Sequence, residues 1–257
     1  MLGSKTIIVT GAASGIGAET AALVASLGAN VISVDINRPA LVVGDFIQAD
    51  LSDRRSIDRL VAALPSRVDG LANIAGLPPT FPAEAVLRVN LVGLKYLTLQ
   101  LLSKFSDGAS IVNLASLAGL GWREATQSIE ASTTLDFDDV PEFCKVHNIE
   151  GPRSYFFSKE ALIVWTMQNR WTWRDRGIRI NAVSPGPVDT PILKDFLETL
   201  GARAEEDMAT MDRPATPKDI APVVAFLLSD GARWIRGSNI HADGGMYSHV
   251  QCQTHGL

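Results

Sequence analysis

The run Val9 to Glu19, VTGAASGIGAE, constrains this chain more than any other stretch. A β-rich segment, TIIVTG, leads into it, and an apolar helical pattern, AETAALVASLG, leads out. Gly11, Gly15 and Gly17 form G-x3-G-x-G. Glycines there permit a tight turn and let backbone N–H groups approach a pyrophosphate seated on the helix N-terminus. Ile16 lies within that turn, and Ser14 adds a hydroxyl donor. A glycine pattern alone also describes an ordinary turn. The strand before it, the helix after it and an acid downstream favour a dinucleotide cradle. The acid is Asp35, at the end of the second strand candidate and 18 positions past Gly17. Its carboxylate is suited to both ribose hydroxyls of NAD and repels a 2′-phosphate. No Lys or Arg stands within Ala12 to Ser14, although Arg38 keeps the phosphorylated cofactor open. The plain alternative for Asp35 is a solvated turn residue.

The rest of the chain repeats that first unit. The strand candidates are TIIVTG, NVISVDI, DGLANIAG, ASIVNLAS, IRINAVSPG and SNIHADGG, apolar almost throughout, as strands buried on both faces are. Between them, AETAALVASLG, SIDRLVAAL, VNLVGLKYLTLQLLSKF, YFFSKEALIVWTMQNRWTWRD and PKDIAPVVAFLLSD repeat apolar residues at helical spacing. Strand–helix alternation predicts one α/β domain over residues 1–257: a doubly wound parallel sheet of about seven strands with helices on both faces. Such sheets bind ligands at the carboxyl ends of their strands. At 257 residues and 46% apolar, the chain can bury a full core. A net charge of −5 argues against nucleic acid, and no apolar run is long enough for a membrane span. Two cysteines, Cys144 and Cys252, have neither a disulfide pattern nor metal-ligand spacing. The first strand starts too early for a signal peptide, so a reducing cytoplasm is expected.

Read together, these motifs resemble the short-chain dehydrogenase/reductase family, and the likeness runs nearly end to end. Thr10 to Gly17 matches T-G-x3-G-I-G; Asp50 and Leu51 in ADL match the adenine contact. Asn73, Ala75 and Gly76 match N-N-A-G, with Ile74 in place of the second asparagine. Asn90 stands where the family keeps a central-helix asparagine, and Ser116 ends IVNLAS as the catalytic serine would. Tyr155 and Lys159 match Y-x3-K. Pro185, Gly186, Val188 and Thr190 in SPGPVDTP match the loop that holds the nicotinamide. The resemblance implies NAD as cofactor, a small-molecule alcohol or ketone as substrate, no metal, and a homodimer or homotetramer.

Carbonyl reduction needs a hydride donor, a proton donor and a partner for the developing oxyanion. Tyr155 and Lys159 are four apart and share a helix face. Bringing a phenol from its usual pKa of about 10 to neutrality corresponds to roughly 4 kcal/mol, which a nearby ammonium and a positive nicotinamide help to supply. The resemblance implies that Lys159 also holds the nicotinamide ribose, Ser116 the substrate oxygen, and Asn90 a relay water. Alone, a Tyr–Lys pair at this spacing reads as a solvated helix face. A serine hydrolase is disfavoured because no G-x-S-x-G elbow is present. A non-catalytic NAD-binding protein of the same fold stays open as a second class, and an epimerase or dehydratase as a third. His241 is expected to be packed or surface-exposed, and the terminal SHVQCQTHGL to be a flexible tail or subunit contact.

Two departures narrow the branch. Asp35 and Asp50 are only 15 positions apart, so INRPALVVGDFIQA is expected to be a loop or single turn. Ser116 and Tyr155 are 39 positions apart, with a long insert at about 120–152. Both features resemble the bacterial branch holding 3α-hydroxysteroid dehydrogenase/carbonyl reductase and coniferyl alcohol dehydrogenases, which implies bulky apolar, aryl-propanol or amino-alcohol substrates. The pocket is expected from Trp122, Pro187 and an amphipathic substrate loop at about 188–214 carrying Leu193, Phe196, Met208 and Met211. Within the insert, Asp139 reads as an N-cap with Pro141 early and Glu142 at N3, opening a helix from Val140 to about Asn148. Phe143, Val146 and His147 are expected on one side of it. The insert is expected to cover or rebuild the family's helix-pairing interface.

Overall fold

The computed structural model describes residues 2–200 and 210–257. Its centre is strand β1 (Thr6–Thr10), where Ile7, Ile8 and Val9 are fully buried. Alternation sends Ile8 to one face and Ile7 and Val9 to the other, so both faces demand helices. The chain continues through α1 (Gly15–Ser26), β2 (Asn30–Asp35), β3 (Asp45–Gln48), α2 (Arg54–Ala63) and β4 (Val68–Asn73). It then forms α3 (Ala83–Leu87), a π-helical turn (Arg88–Gly93), α4 (Leu94–Gln100) and β5 (Phe105–Leu114). The seven strands are all parallel in the order β3-β2-β1-β4-β5-β6-β7, with β6 at Arg179–Pro185 and β7 at Asn239–Ala242. One face is covered by α2, α4 and α7 (Pro152–Gln168), the other by α1 and α9 (Pro217–Leu228). The doubly wound sheet expected from the alternation is therefore present.

Its differences from expectation are local. The segment after Asp35 is a loop as far as Gly44, but Asp45–Gln48 then pairs with β2 as an edge strand. A four-residue strand with exposed ends leaves little periodicity to read. The single helix expected from Val89 is broken by the π turn. The C-terminal segment forms a helix, α10 (Met246–His255), that ends at Gly256 in the left-handed region (φ 68°).

The insert is structured throughout. A 3₁₀ segment (Leu117–Arg123) leads to α5 (Thr126–Ala131), a 3₁₀ turn (Ser132–Thr134) and α6 (Val140–Val146). Asp139 does precede α6, but its side chain makes no cap bond. Its carbonyl accepts the Phe143 N–H at 2.9 Å. Phe143 is 8% exposed and Val146 is 61% exposed, so they do not share a side. Only His147 joins Phe143, with ring centroids 4.4 Å apart. Successive residues turn by 100°, so four steps return nearer the starting face than three. Phe143 packs on Phe157 of α7 (5.6 Å), and Phe137 meets Tyr96 of α4 edge-on (5.7 Å). Arg54 of α2 lies over both Tyr96 and Phe137 and pairs with Asp136. Buried Lys95 donates to the carbonyls of Ser132 and Thr133, each at 2.9 Å. The two phenylalanines thus extend the chain's own core.

Candidate active site

The glycine turn is shaped by close backbone approaches. Gly11 has φ 72°, and a Cβ there would lie 2.8 Å from the Ala75 backbone. A Cβ on Gly17 would lie 1.9 Å from the Gly11 carbonyl. Thr10 fastens this turn to the loop after β4, its Oγ1 accepting from Ile74 N (3.0 Å) and Ala75 N (3.1 Å). Ser14 caps α1 with extended backbone while its hydroxyl makes no cap bond, and the first turn carries no acid. Asp35 spans the cradle: Oδ2 accepts from Ala13 N and Oδ1 from Asn37 N, both at 2.9 Å. Arg38 lies over Phe46 of β3, 5.5 Å from its centroid. Asp50 Oδ1 accepts from Ser52 N and Oγ, and Leu51 is buried. A helix start free of acids, a turn without room for side chains and a carboxylate ending β2 fit a dinucleotide.

Ser116 follows β5, and Tyr155 and Lys159 occupy α7; all three meet at the carboxyl ends of the strands. The Ser116 side chain stands near enough to Tyr155 to favour its ionised form, and its Oγ accepts from Ala118 N at 3.1 Å. Tyr155 is 8% and Lys159 4% exposed. Burial pushes the phenol up to about 12, against a smaller lowering by the Ser116 side chain. Burial also pushes the Lys159 ammonium down to about 8. Lys159 Nζ is 5.4 Å from the Tyr155 ring centroid and donates to the Leu114 carbonyl at 2.7 Å. The phenol lowering expected from the lysine is not found in the protein alone, where desolvation dominates.

Asn90 sits in the π turn, fully buried. Such turns expose a residue at an angle a regular helix does not provide. Its carboxamide clasps Leu77, accepting from N at 2.7 Å and donating to O at 3.0 Å, and also reaches Ser158 Oγ at 3.4 Å. A Cβ on Gly76 would stand 3.3 Å from Asn90 Oδ1 and 3.9 Å from Lys159 Nζ, so the three converge. Asn73 differs from expectation. Its Nδ2 donates to Thr98 Oγ1 (3.0 Å) and Asn113 Oδ1 (2.9 Å), and Asn113 passes the chain on to Thr166 (3.0 Å). The Asn73 amide nitrogen is thereby spent inside the core between β4 and β5, while its Oδ1 is buried without a partner among the described residues.

The loop after β6 returns over the cradle. Gly186 fits against Asp243, where a Cβ would meet its Cα at 3.2 Å, and Pro185 closes β6. Pro187 O accepts from Ala215 N at 2.9 Å, and Val188 bridges Ala215. The Thr190 methyl lies 3.2 Å from where a Gly15 Cβ would be. Leu193, half-buried, opens α8 (Pro191–Leu200), its N–H donating to Thr190 O. Phe196 sets its ring edgewise on Tyr155, centroids 4.8 Å apart at 81°. Trp122 is half-buried against Ile163, Ala115 and Ala182, and Met211 approaches Gly244. Met208 lies outside the described residues. His241 is half-buried and stacked on Tyr247 at 3.8 Å, with its pKa lowered by burial. Among the described residues no group of three side chains could hold a metal, and no helix is long and apolar enough to cross a membrane. Sequence reasoning passed over Ser158, Thr80 and Asp195, all of which the structure ties to this site.

The glycine turn, Ser116 and the Tyr155–Lys159 pair face one another because every strand runs the same way. A protein so built is a Rossmann-type oxidoreductase. Residues 5–129 match the family model described as short chain dehydrogenase, and residues 143–247 the model described as enoyl-(acyl carrier protein) reductase. The chain is 43% identical over 250 residues to the coniferyl-alcohol dehydrogenase of Pseudomonas sp. (strain HR199 / DSM 7063), covering 96% of this chain and 98% of that one. It is 29% identical to the 3-alpha-hydroxysteroid dehydrogenase/carbonyl reductase of Comamonas testosteroni, over 93% and 95% of the two chains. The solved 3-alpha-hydroxysteroid dehydrogenase from Pseudomonas sp. B-0831, complexed with NADH, matches with a TM-score of 0.86 at 30% identity, over 97% and 99% of the chains. The chain belongs to the short-chain dehydrogenase/reductase family.

Proposed function

We propose that this protein is an NAD(H)-dependent alcohol dehydrogenase that interconverts a bulky aryl-bearing alcohol and its aldehyde or ketone. The observation that carries this reading is buried Tyr155, with Ser116 near its phenol, Lys159 beside it and the Phe196 ring against it. The 43% identity to a coniferyl-alcohol dehydrogenase supports an aryl-propanol over a steroid. Asp35 at the end of β2 supports NAD over its phosphorylated form.

In this reading Gly11 to Gly17 hold the pyrophosphate, Asp35 the adenosine ribose, Lys159 the nicotinamide ribose, and Val188 and Thr190 the carboxamide. The bound nicotinamide supplies the hydride acceptor and a positive charge. Ser116 donates to the substrate oxygen. Tyr155 takes the alcohol proton in oxidation and returns it in reduction. A phenol at about 12 is a poor base at neutrality, so the added positive charge and Lys159 together make its ionised form accessible. Asn90 shapes the floor by fixing Leu77.

The test is NADH formation with cinnamyl and coniferyl alcohols. Tyr155→Phe should abolish it while leaving NADH binding, followed by fluorescence, in place. Turnover of no alcohol in a broad panel would overturn the reading.

A further inference from the structure

Helix α8 and the Asn90 framework are joined by a closed circuit of contacts. Asn90 clasps Leu77 through both backbone groups. From Leu77 the chain runs through Pro78 and Pro79, both buried, and Phe81 N donates back to Pro78 O at 3.3 Å. Two consecutive prolines fix φ, so this short loop acts as a strut. At its tip Thr80 Oγ1 donates to Asp195 Oδ1 of α8 at 2.9 Å. The next residue, Phe196, stands on the Tyr155 ring. Ser158 closes the circuit, accepting from Asn90 and donating to the Tyr155 carbonyl at 2.7 Å.

We propose that Thr80 and Asp195 are positioning residues of the substrate site, latching α8 so that Phe196 forms an aromatic wall beside the Tyr155 hydroxyl that selects aryl-bearing alcohols. The proposal rests on the alcohol dehydrogenase reading above. A substrate oxygen placed at Ser116 and Tyr155 must lead its carbon skeleton past that ring. A flat ring meets Phe196 with the edge or offset geometry aromatic pairs prefer; a saturated ring cannot. The Thr80–Asp195 bond is exposed and weak alone. Its effect comes from the strut behind it, which makes one hydrogen bond decide where the helix sits.

The test uses the full-length enzyme with NAD and two alcohols of similar size, cinnamyl alcohol and 3-cyclohexylpropan-1-ol. Thr80→Val and Asp195→Ala should each raise KM for cinnamyl alcohol about threefold to tenfold, in line with the net worth of one exposed hydrogen bond. NADH affinity should not change, and Thr80→Ser should restore KM. The double variant should be no worse than either single one, since both remove the same latch. Phe196→Ala should abolish the preference for cinnamyl alcohol over its cyclohexyl counterpart. Additive losses in the double variant, or an unchanged preference in Phe196→Ala, would overturn the latch. A wild-type enzyme that oxidises neither these alcohols nor any of a broad panel would instead remove the reading on which it rests. One measurement needs no turnover: Thr80→Val and Phe196→Ala should lower the pH at which Tyr155 ionises, read by ultraviolet difference titration against Tyr155→Phe. An unmoved titration would count against the latch even in an inactive enzyme.

Discussion

Asp35 is asked to do two things with one carboxylate. It accepts from Ala13 and Asn37, bracing the glycine turn, and in the proposed complex it also meets the ribose. Asp35→Ser should therefore weaken NAD binding about tenfold or more while favouring the phosphorylated cofactor, because the repulsive charge is gone. The ratio of kcat/KM for NAD and NADP measures this. Gly17 carries a purely steric demand, since a Cβ would stand 1.9 Å from the Gly11 carbonyl. Gly17→Ala should abolish NADH binding or prevent folding, and circular dichroism separates the two outcomes. Ser116, Tyr155 and Lys159 could be picked from the sequence because they match the family's motifs, whereas spacing alone left the Tyr–Lys pair reading as a solvated helix face. Asn73 could be picked too, but which way its amide faces depends on Thr98 and Asn113, distant in sequence. Thr80 and Asp195 left no signal, because a surface hydrogen bond between a loop and a helix has no periodicity.

At the scale of elements, the insert is an outer layer built onto α2, α4 and α7. Its apolar residues join the core, so their loss should be felt as core loss. Phe143→Ala should cost about 3 kcal/mol of stability, as large-to-small changes of buried aromatics do. Val146→Ala, three residues away on the exposed side, should change stability by less than about 0.5 kcal/mol. Urea titrations of the two variants make the comparison. The start of α6 was legible from Asp139, Pro141 and Glu142. Its orientation was not, since a seven-residue helix offers too few apolar positions to define a face. The edge strand β3 escaped for a similar reason: Asp45-Phe-Ile-Gln48 is short and half polar.

Over the whole molecule, buried ionisable groups set how stability follows pH. Lys159 and Lys95 are each pushed down to about 8 by burial, against an unfolded value of 10.5. Between these values the unfolded chain binds more protons than the folded one, so stability is fully present above 10.5 and is lost as pH falls through about 8. Two groups act the other way. Buried Cys144 is raised from 9.0 to about 11, and Tyr155 from 10.0 to about 12, so each subtracts stability as pH rises above its unfolded value. Between about pH 8 and 9 the lysines act alone among these four, and the protein without cofactor should grow more stable. Each contributes up to about 1.4 kcal/mol per pH unit. Lys95→Met should roughly halve that slope, as read from urea midpoints at each pH.

The strand order carries a consequence for how the protein is made. β4 adds beside β1, and from β5 onward each strand leaving the ribosome lies beside the one synthesised just before it, while β1, β2 and β3 already form a finished edge on the other side. The sheet thus grows by accretion at a single front. When the segment between Ser116 and Tyr155 emerges, the helices α2 and α4 that receive Phe137 and Asp136 have already been made. Arg54 and Tyr96 are waiting for the insert, and a chain interrupted before β6 has already been translated through every partner that Asp136 and Phe137 are seen to use. Nascent-chain assembly can then run in the order of the gene, with no long segment left exposed while a distant strand is awaited.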